Sequence, residues 1–165
     1  MHVFVMEYKM EDSFHNVTDQ IVTFIIDELV LALPLFSVKR VIHAVEITRL
    51  PKAPEIVAGI INVRGQIIPV VDIRKRIGLR RHELAPSDNF IIANTGTLDV
   101  AILADTIQDV RTLLPGQLSD AGEALPFAEL LSGVAKTENG LILIYDLNRF
   151  LSLEEEKELI SAMRT

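Results

Sequence analysis

Residues 59–74, GIINVRGQIIPVVDIR, set two apolar runs rich in Ile and Val on either side of Gly65. β-Branched side chains suit a pleated, half-buried surface, so this stretch predicts two short strands hinged at a glycine. Asn62, Arg64, Asp72 and Arg74 stand inside those runs. Polar groups mounted on a rigid apolar base make a recognition surface rather than a catalytic pocket. Asp72 or Ile73 opens a short helix, which Gly78 stops.

The same theme recurs along the chain. Residues 20–26 and 29–33 flank Asp27 and Glu28 as a hairpin of two largely buried strands, and Pro34 closes the second. Residues 38–47 form an imperfectly alternating strand, and residues 49–54 a proline-punctuated crossing. A single helical turn is predicted over residues 55–58, ending at Gly59. Residues 89–93 and 98–104 read as a second hairpin, 107–114 as a strand, and 134–137 with 141–145 as a third hairpin turning across Glu138-Asn139-Gly140, where Asn-Gly is the strong turn signal. Ser152 and Glu155 form a capping box ahead of Leu153, Leu159, Ile160 and Met163 at helical spacing. The organisation expected is a tail of uncertain order over residues 1–18, a domain over 19–151 and a C-terminal helix over 152–165. Nine or ten short strands with little helix argue for small barrels, and one small barrel cannot hold them all.

Composition narrows the function. Hydrophobic residues make up 49% of the 165 but aromatics only 5%, so the core is aliphatic. At this length roughly 70% of the unfolded surface is buried on folding. A net charge of −7 and no Trp argue against a nucleic-acid partner. The absence of Cys excludes disulfides, thiolate metal sites and cysteine nucleophiles. The N-terminus lacks the pattern of a secretory signal, and no apolar run reaches the ~20 residues of a membrane span, so a soluble cytoplasmic protein is expected.

Chemistry-bearing patterns are missing. His2, His15, His43 and His82 show no metal-ligand spacing, so no metal is expected, and His43 reads as a packed or interface histidine. No nucleophile elbow, phosphate loop or dinucleotide fingerprint occurs. Asp99, Asp105 and Asp109 read as solvated turn residues. Neither a catalytic residue nor a cofactor is expected.

Residues 62–65 support two readings. In one, Asn62 hydrogen-bonds turn backbone, Gly65 takes a positive φ and Arg64 points into water. In the other, strand alternation projects Asn62 and Arg64 from one face while Ile61 and Val63 anchor the opposite one, offering a fork of N–H donors to a partner's carboxylates or carbonyls.

Residues 59–74 also resemble the signature of the CheW-like domains, the coupling modules of bacterial chemotaxis, whose pattern is G-x-x-N-L/V-R-G-x-I/V-x-P-V/I-V/I-D-L/I-R. The resemblance extends over about residues 19–163, taking in the opening hairpin, Pro51-x-x-Pro54, the strand at Asn89 and the closing strand and turn at 140–150. It implies an all-β fold of two packed, intertwined five-stranded SH3-like barrels with a few short helices, a C-terminal helix and a groove between the barrels. It further implies a non-enzymatic adaptor without cofactor. Its partners would be the regulatory domain of a CheA-type histidine kinase and the cytoplasmic helical hairpin of a methyl-accepting chemoreceptor. Membrane arrays would be reached through those partners, without direct membrane insertion.

Carried over by position, Val38, Arg40, Val41, Thr48, Asn62 and Arg64 form the receptor-facing surface, and Gly59, Gly65, Pro69, Asp72 and Arg74 the structural motif. For Val38 and Val41, ordinary core is an equal reading. Family members often carry an acidic residue where this chain has Arg40, positioned to pair with the motif arginine. Arg40 and Arg64 on one face would repel unless Glu46, Asp72 or a partner's carboxylates intervened. No room for a phosphorylatable receiver remains beyond Phe150, so a stand-alone coupler is expected. The competing reading is a ligand-binding module with Asn62, Arg64 and Asp72 around an anionic metabolite in the interbarrel groove.

Overall fold

The structure is a computed structural model and describes residues 20–119 and 128–164. The tail expected over residues 1–18 and the start of the domain at Asp19 lie outside them. In chain order the elements are β1 (Gln20–Ile26), β2 (Leu29–Pro34), β3 (Val38–His43), β4 (Val57–Val63), β5 (Gln66–Val71), α1 (Ile73–Ile77), β6 (Asn89–Asn94) and β7 (Asp99–Ala104). There follow β8 (Thr106–Thr112), β9 (Leu118–Ser119), β10 (Leu131–Thr137), β11 (Gly140–Tyr145) and α2 (Leu153–Arg164).

The strands form two sheets, one ordered β3-β6-β7-β5-β4 and the other β8-β1-β2-β11-β10-β9. Thr48 and Ile60 exchange backbone hydrogen bonds of 2.8 and 2.7 Å, joining the chain after β3 to β4 at the opposite edge. The five-stranded sheet is thereby drawn into a barrel. In the other sheet, β8 and β9 lie at opposite edges yet only residues 113–117 separate them, so one bent stretch of chain follows both edges. The sixth strand is this continuation. The chain interleaves the two units: β1 and β2 belong with β8–β11, while β3–β7 make the other.

Three apolar clusters explain why so many strands lack polar alternation. In β6, Phe90 and Ile92 face the interior of the five-stranded barrel with Ile61, Ile68, Val70 and Leu103, whereas Ile91 and Ala93 face the layer between the barrels. β11 divides likewise, with Ile142 and Ile144 inside the six-stranded unit and Tyr145 in the shared layer. Strands buried on both faces read as continuous apolar runs. The shared layer is the largest cluster and includes Phe24, Leu31, Ile73, Ile102, Phe150 and Leu159. Each such side chain contributes roughly 1.5–3 kcal/mol of burial, and Tyr145 and Phe150 stack at 5.1 Å.

Two local expectations are corrected. Residues 55–58 are not a helical turn ending at Gly59: the Val57 N–H closes a tight turn on the Pro54 carbonyl at 3.0 Å, and Val57 then starts β4 opposite Val71. The third hairpin turns at Glu138 and Asn139, with Thr137 paired to Gly140, so Gly140 supplies a positive φ of 121° at the strand start instead of in the loop. The capping box forms as predicted. The Ser152 N–H donates to Glu155 Oε1 at 2.9 Å, and the Glu155 N–H to Ser152 Oγ at 3.1 Å.

Candidate functional site

The β4–β5 hairpin closes between Val63 and Gln66, with Arg64 at φ 52° and Gly65 at φ 88°. Two successive positive φ values make a type I′ turn, whose twist matches that of the strands. Asn62 Oδ1 accepts the Gly65 N–H at 2.8 Å and locks the tip. Arg64 is therefore an exposed turn residue, not a strand residue sharing a face with Asn62. The alternation argument fails there because the strand ends at Val63, one residue too soon.

Gly59 meets a different demand. A Cβ at Gly59 would collide with the Thr48 carbonyl oxygen and lie 2.7 Å from Ile47 Cγ2, so glycine lets the closing stretch reach β4. Pro69 sits opposite Ile60, whose own N–H and C=O turn away to Thr48. The pair is thus a non-hydrogen-bonded one, and the β7 ladder begins only at Val70, so the missing N–H of proline costs nothing. Asp72 caps α1 by accepting the Arg74 N–H at 3.0 Å, and Gly78 ends it at φ 75°.

On β3 a bulge between Val38 and Arg40 breaks strict alternation. Val38 packs partly against the interbarrel layer, while Val41 is 40% exposed. His43, Arg40 and Thr48 are exposed. Among the described residues Arg40 and Arg64 have no ion pair within 4.0 Å, and neither Glu46 nor Asp72 neutralises them. Lys39 instead binds Asp99 at 2.9 Å, where Asn94 (2.8 Å) and Gln66 (3.2 Å) also donate. Burial would raise the Asp99 carboxyl, but these donors outweigh it and hold it below the usual carboxylate range.

A groove of about 390 Å³ opens between the barrels, lined among others by Pro34, Phe36, Asn94, Tyr145 and Leu147, with Phe36 58% exposed. Val38 lies at its edge, since it pairs with Ala93 beside Asn94. Asn62, Arg64 and Asp72 do not line this groove. Arg64 and Asp72 stand at opposite ends of β5, roughly 20 Å apart for six strand residues. That separation overturns their grouping around one small anion.

Sequence reasoning missed a charged cluster. Arg74 is 1% exposed, and its Nη2 donates to Asp105 Oδ1 at 2.6 Å and to Asp27 Oδ1 at 3.2 Å. Burial alone would depress the guanidinium pKa, but the two carboxylates reverse that and keep it charged. His82 Nε2 lies 2.8 Å from Asp88 Oδ2 and 3.9 Å from Asp105, and the Ala85 N–H also donates to Asp88. Asp99 and Asp105 are therefore partnered, contrary to the solvated-turn expectation. His82, Asp88 and Asp105 bring possible ligand atoms within 4.8 Å of one another, but protein donors already hold both carboxylates. Sequence separations of 6 to 78 residues gave no signal of this cluster beyond Asp27 lying in a predicted turn.

Comparison with known proteins gives a consistent picture. A family profile described as the CheW-like domain matches residues 20–155. The chain is similar to "Chemotaxis protein CheW" of Thermotoga maritima, 32% identical over 139 residues covering 84% of this chain and 91% of that one. It is also similar to the protein of the same name from Bacillus subtilis, 27% identical with 86% and 92% covered. "Protein FrzA" of Myxococcus xanthus is 28% identical, with 76% and 79% covered. Among solved structures, the scaffolding protein TtCheW of Thermoanaerobacter tengcongensis superposes with a TM-score of 0.75 at 28% identity, over 86% of this chain and 93% of that one.

Proposed function

The chain belongs to the CheW-like domain family, and from that premise we propose that it is an adaptor of a bacterial chemosensory complex, joining a CheA-type histidine kinase to a chemoreceptor. The observation that carries this reading is the coincidence of a family match over residues 20–155 with a two-unit β fold superposing on a solved scaffolding protein. Its mechanism is assembly. One barrel docks the kinase regulatory domain, and the other, with the interbarrel groove, holds a receptor helical hairpin. Single contacts of this kind are modest, and strength in an array comes from many simultaneous links.

The receptor-facing surface is assigned to Val38, Arg40, Val41, Thr48, Asn62 and Arg64. Exposure of Arg40, Val41, Thr48, Asn62 and Arg64, and the position of Val38 beside the groove, support it. Two arginines without an ion pair among the described residues favour a partner face rich in carboxylates. No described helix is long and apolar enough to cross a membrane, and a cytoplasmic location fits recruitment through receptors. Co-sedimentation with receptor fragments tests the assignment: Arg64→Ala weakens it while melting stays put, and Arg40→Glu strengthens binding to a hairpin lacking extra carboxylates. Loss of the fold in Arg64→Ala, or no response to either substitution, counts against the surface.

A further inference from the structure

We propose that Arg74 is a positioning residue that pins the two barrels in one relative orientation. It springs from α1, on the chain that joins β5 to β6 of the five-stranded barrel. Its partners lie elsewhere. Asp27 belongs to the β1–β2 turn of the other unit, and Asp105 is the one residue between β7 and β8, where the chain crosses from one barrel to the other. The carboxylates are themselves tied. The Asp27 N–H donates to Asp105 Oδ2 at 2.8 Å, and the Asp105 N–H to the Ile25 carbonyl at 3.0 Å. From the loop before β6, His82 faces Asp105 at 3.9 Å. One guanidinium nitrogen thus links three segments on both sides of the interbarrel layer.

Stability does not explain this residue. Nε and Nη1 of Arg74 are buried and have no partner among the described residues, and burying a guanidinium so incompletely satisfied costs free energy. Buried ion pairs add little to stability, and apolar residues of similar volume often replace them at no loss. Direction is what an apolar replacement lacks. The remainder of the interbarrel layer is largely aliphatic, and its attraction depends on area, not angle. Two hydrogen bonds from one guanidinium nitrogen add the angular term, fixing how the docking surfaces of the two barrels face each other. That consequence for bridging rests on the adaptor reading; the pin itself does not.

The chain has no cysteine, so spin labels at Ile67→Cys on β5 and Lys136→Cys on β10, both exposed strand positions, report the interbarrel distance by double electron–electron resonance with no partner present. Arg74→Met combined with Asp105→Asn removes the guanidinium and its nearer carboxylate without emptying the site, leaving Asp27, whose side chain is 46% exposed, to water. The expected result is an unchanged melting temperature with a distance distribution broadened about twofold, as for packed elements freed to slide. Asp27→Asn, at a half-exposed arm of the pin, gives a smaller broadening in a fully folded protein. An unchanged distribution in both variants overturns the proposal. So does a double variant that fails to fold, because Arg74 would then be holding the fold itself. Receptor and kinase binding are scored separately, so either reading can fail alone.

Discussion

At the scale of single residues, the signature motif is mostly a device for building a hairpin. Asn62, Gly65, Gly59, Pro69 and Asp72 each answer a backbone requirement; those of Asn62, Gly65 and Asp72 were legible because they are local, whereas Gly59 answers to the distant Thr48 carbonyl and Pro69 to its pairing with Ile60. Arg64 was only half legible. Its chemistry was clear, but its place stood between two readings, since one residue of register separates a strand face from a tip. The structure bears out the one with Asn62 bound to turn backbone and Gly65 at positive φ. Arg64 holds φ 52°, a conformation that costs an L-residue about 1 kcal/mol or more. Arg64→Gly therefore raises stability by roughly 1 kcal/mol in denaturant unfolding while weakening receptor binding, an opposition that a purely structural arginine would not show. Gly59→Ala destabilises by about 2 kcal/mol or more, because both a positive φ and the Thr48 carbonyl oppose a Cβ. An alanine variant that melts like the parent contradicts the close approach. Tyr145 carries a third test. Burial pushes its phenol up to about 12. Because the folded pKa lies above the unfolded value near 10, its contribution is complete below pH 10 and is lost as pH rises through 12. Absorbance of tyrosinate from Tyr145 should thus appear only near pH 12 or with unfolding; titration near pH 10 in the folded state contradicts its burial.

At the scale of elements, hairpins and caps were read correctly where signals lie within a few residues, as at Asp72, Gly78 and Ser152-Glu155. The turn at 138–140 was drawn one residue too long because Gly140 pairs with Thr137 at the strand start, and the 55–58 turn was overextended because pairing with Val71 captures Val57. The C-terminal helix α2 is anchored by its cap as well as by packing. Glu155 receives the Ser152 N–H and two hydrogen bonds from Arg76 Nη2 at 2.7 and 2.8 Å. Burial works to raise the Glu155 carboxyl, but these donors prevail and hold it below its ordinary 4.5. A depressed carboxyl stabilises above its unfolded pKa and loses that contribution as pH falls through the folded value. Stability should decline below about pH 4.5, with Glu155→Gln giving a shallower acid limb in thermal melts. Ser152→Ala should cost about 1 kcal/mol. Identical acid limbs would mean that the Arg76 and Ser152 contacts carry no net weight.

At the scale of the molecule, the class of fold was legible from strand number, turn spacing and an aliphatic composition, and the family resemblance implied intertwined barrels, but which strands interleave was not legible. The pairing of β1 with β8 brings together Val22 and Val110, and that of β2 with β11 brings together Leu31 and Leu143. No local pattern specifies which of many similar aliphatic strands will meet across such separations. The Arg74 cluster was hidden for the same reason, since its members come together only after both barrels form. The proposed adaptor function, by contrast, requires two surfaces of one molecule to be occupied at once. The decisive measurement is capture on an immobilised CheA-type kinase regulatory fragment of a chemoreceptor hairpin fragment, with and without this protein. Retention of the hairpin only when the protein is present, reduced by Arg64→Ala, is the outcome expected of a bridge. Binding of either partner alone but never both together, or no binding to either, would contradict it.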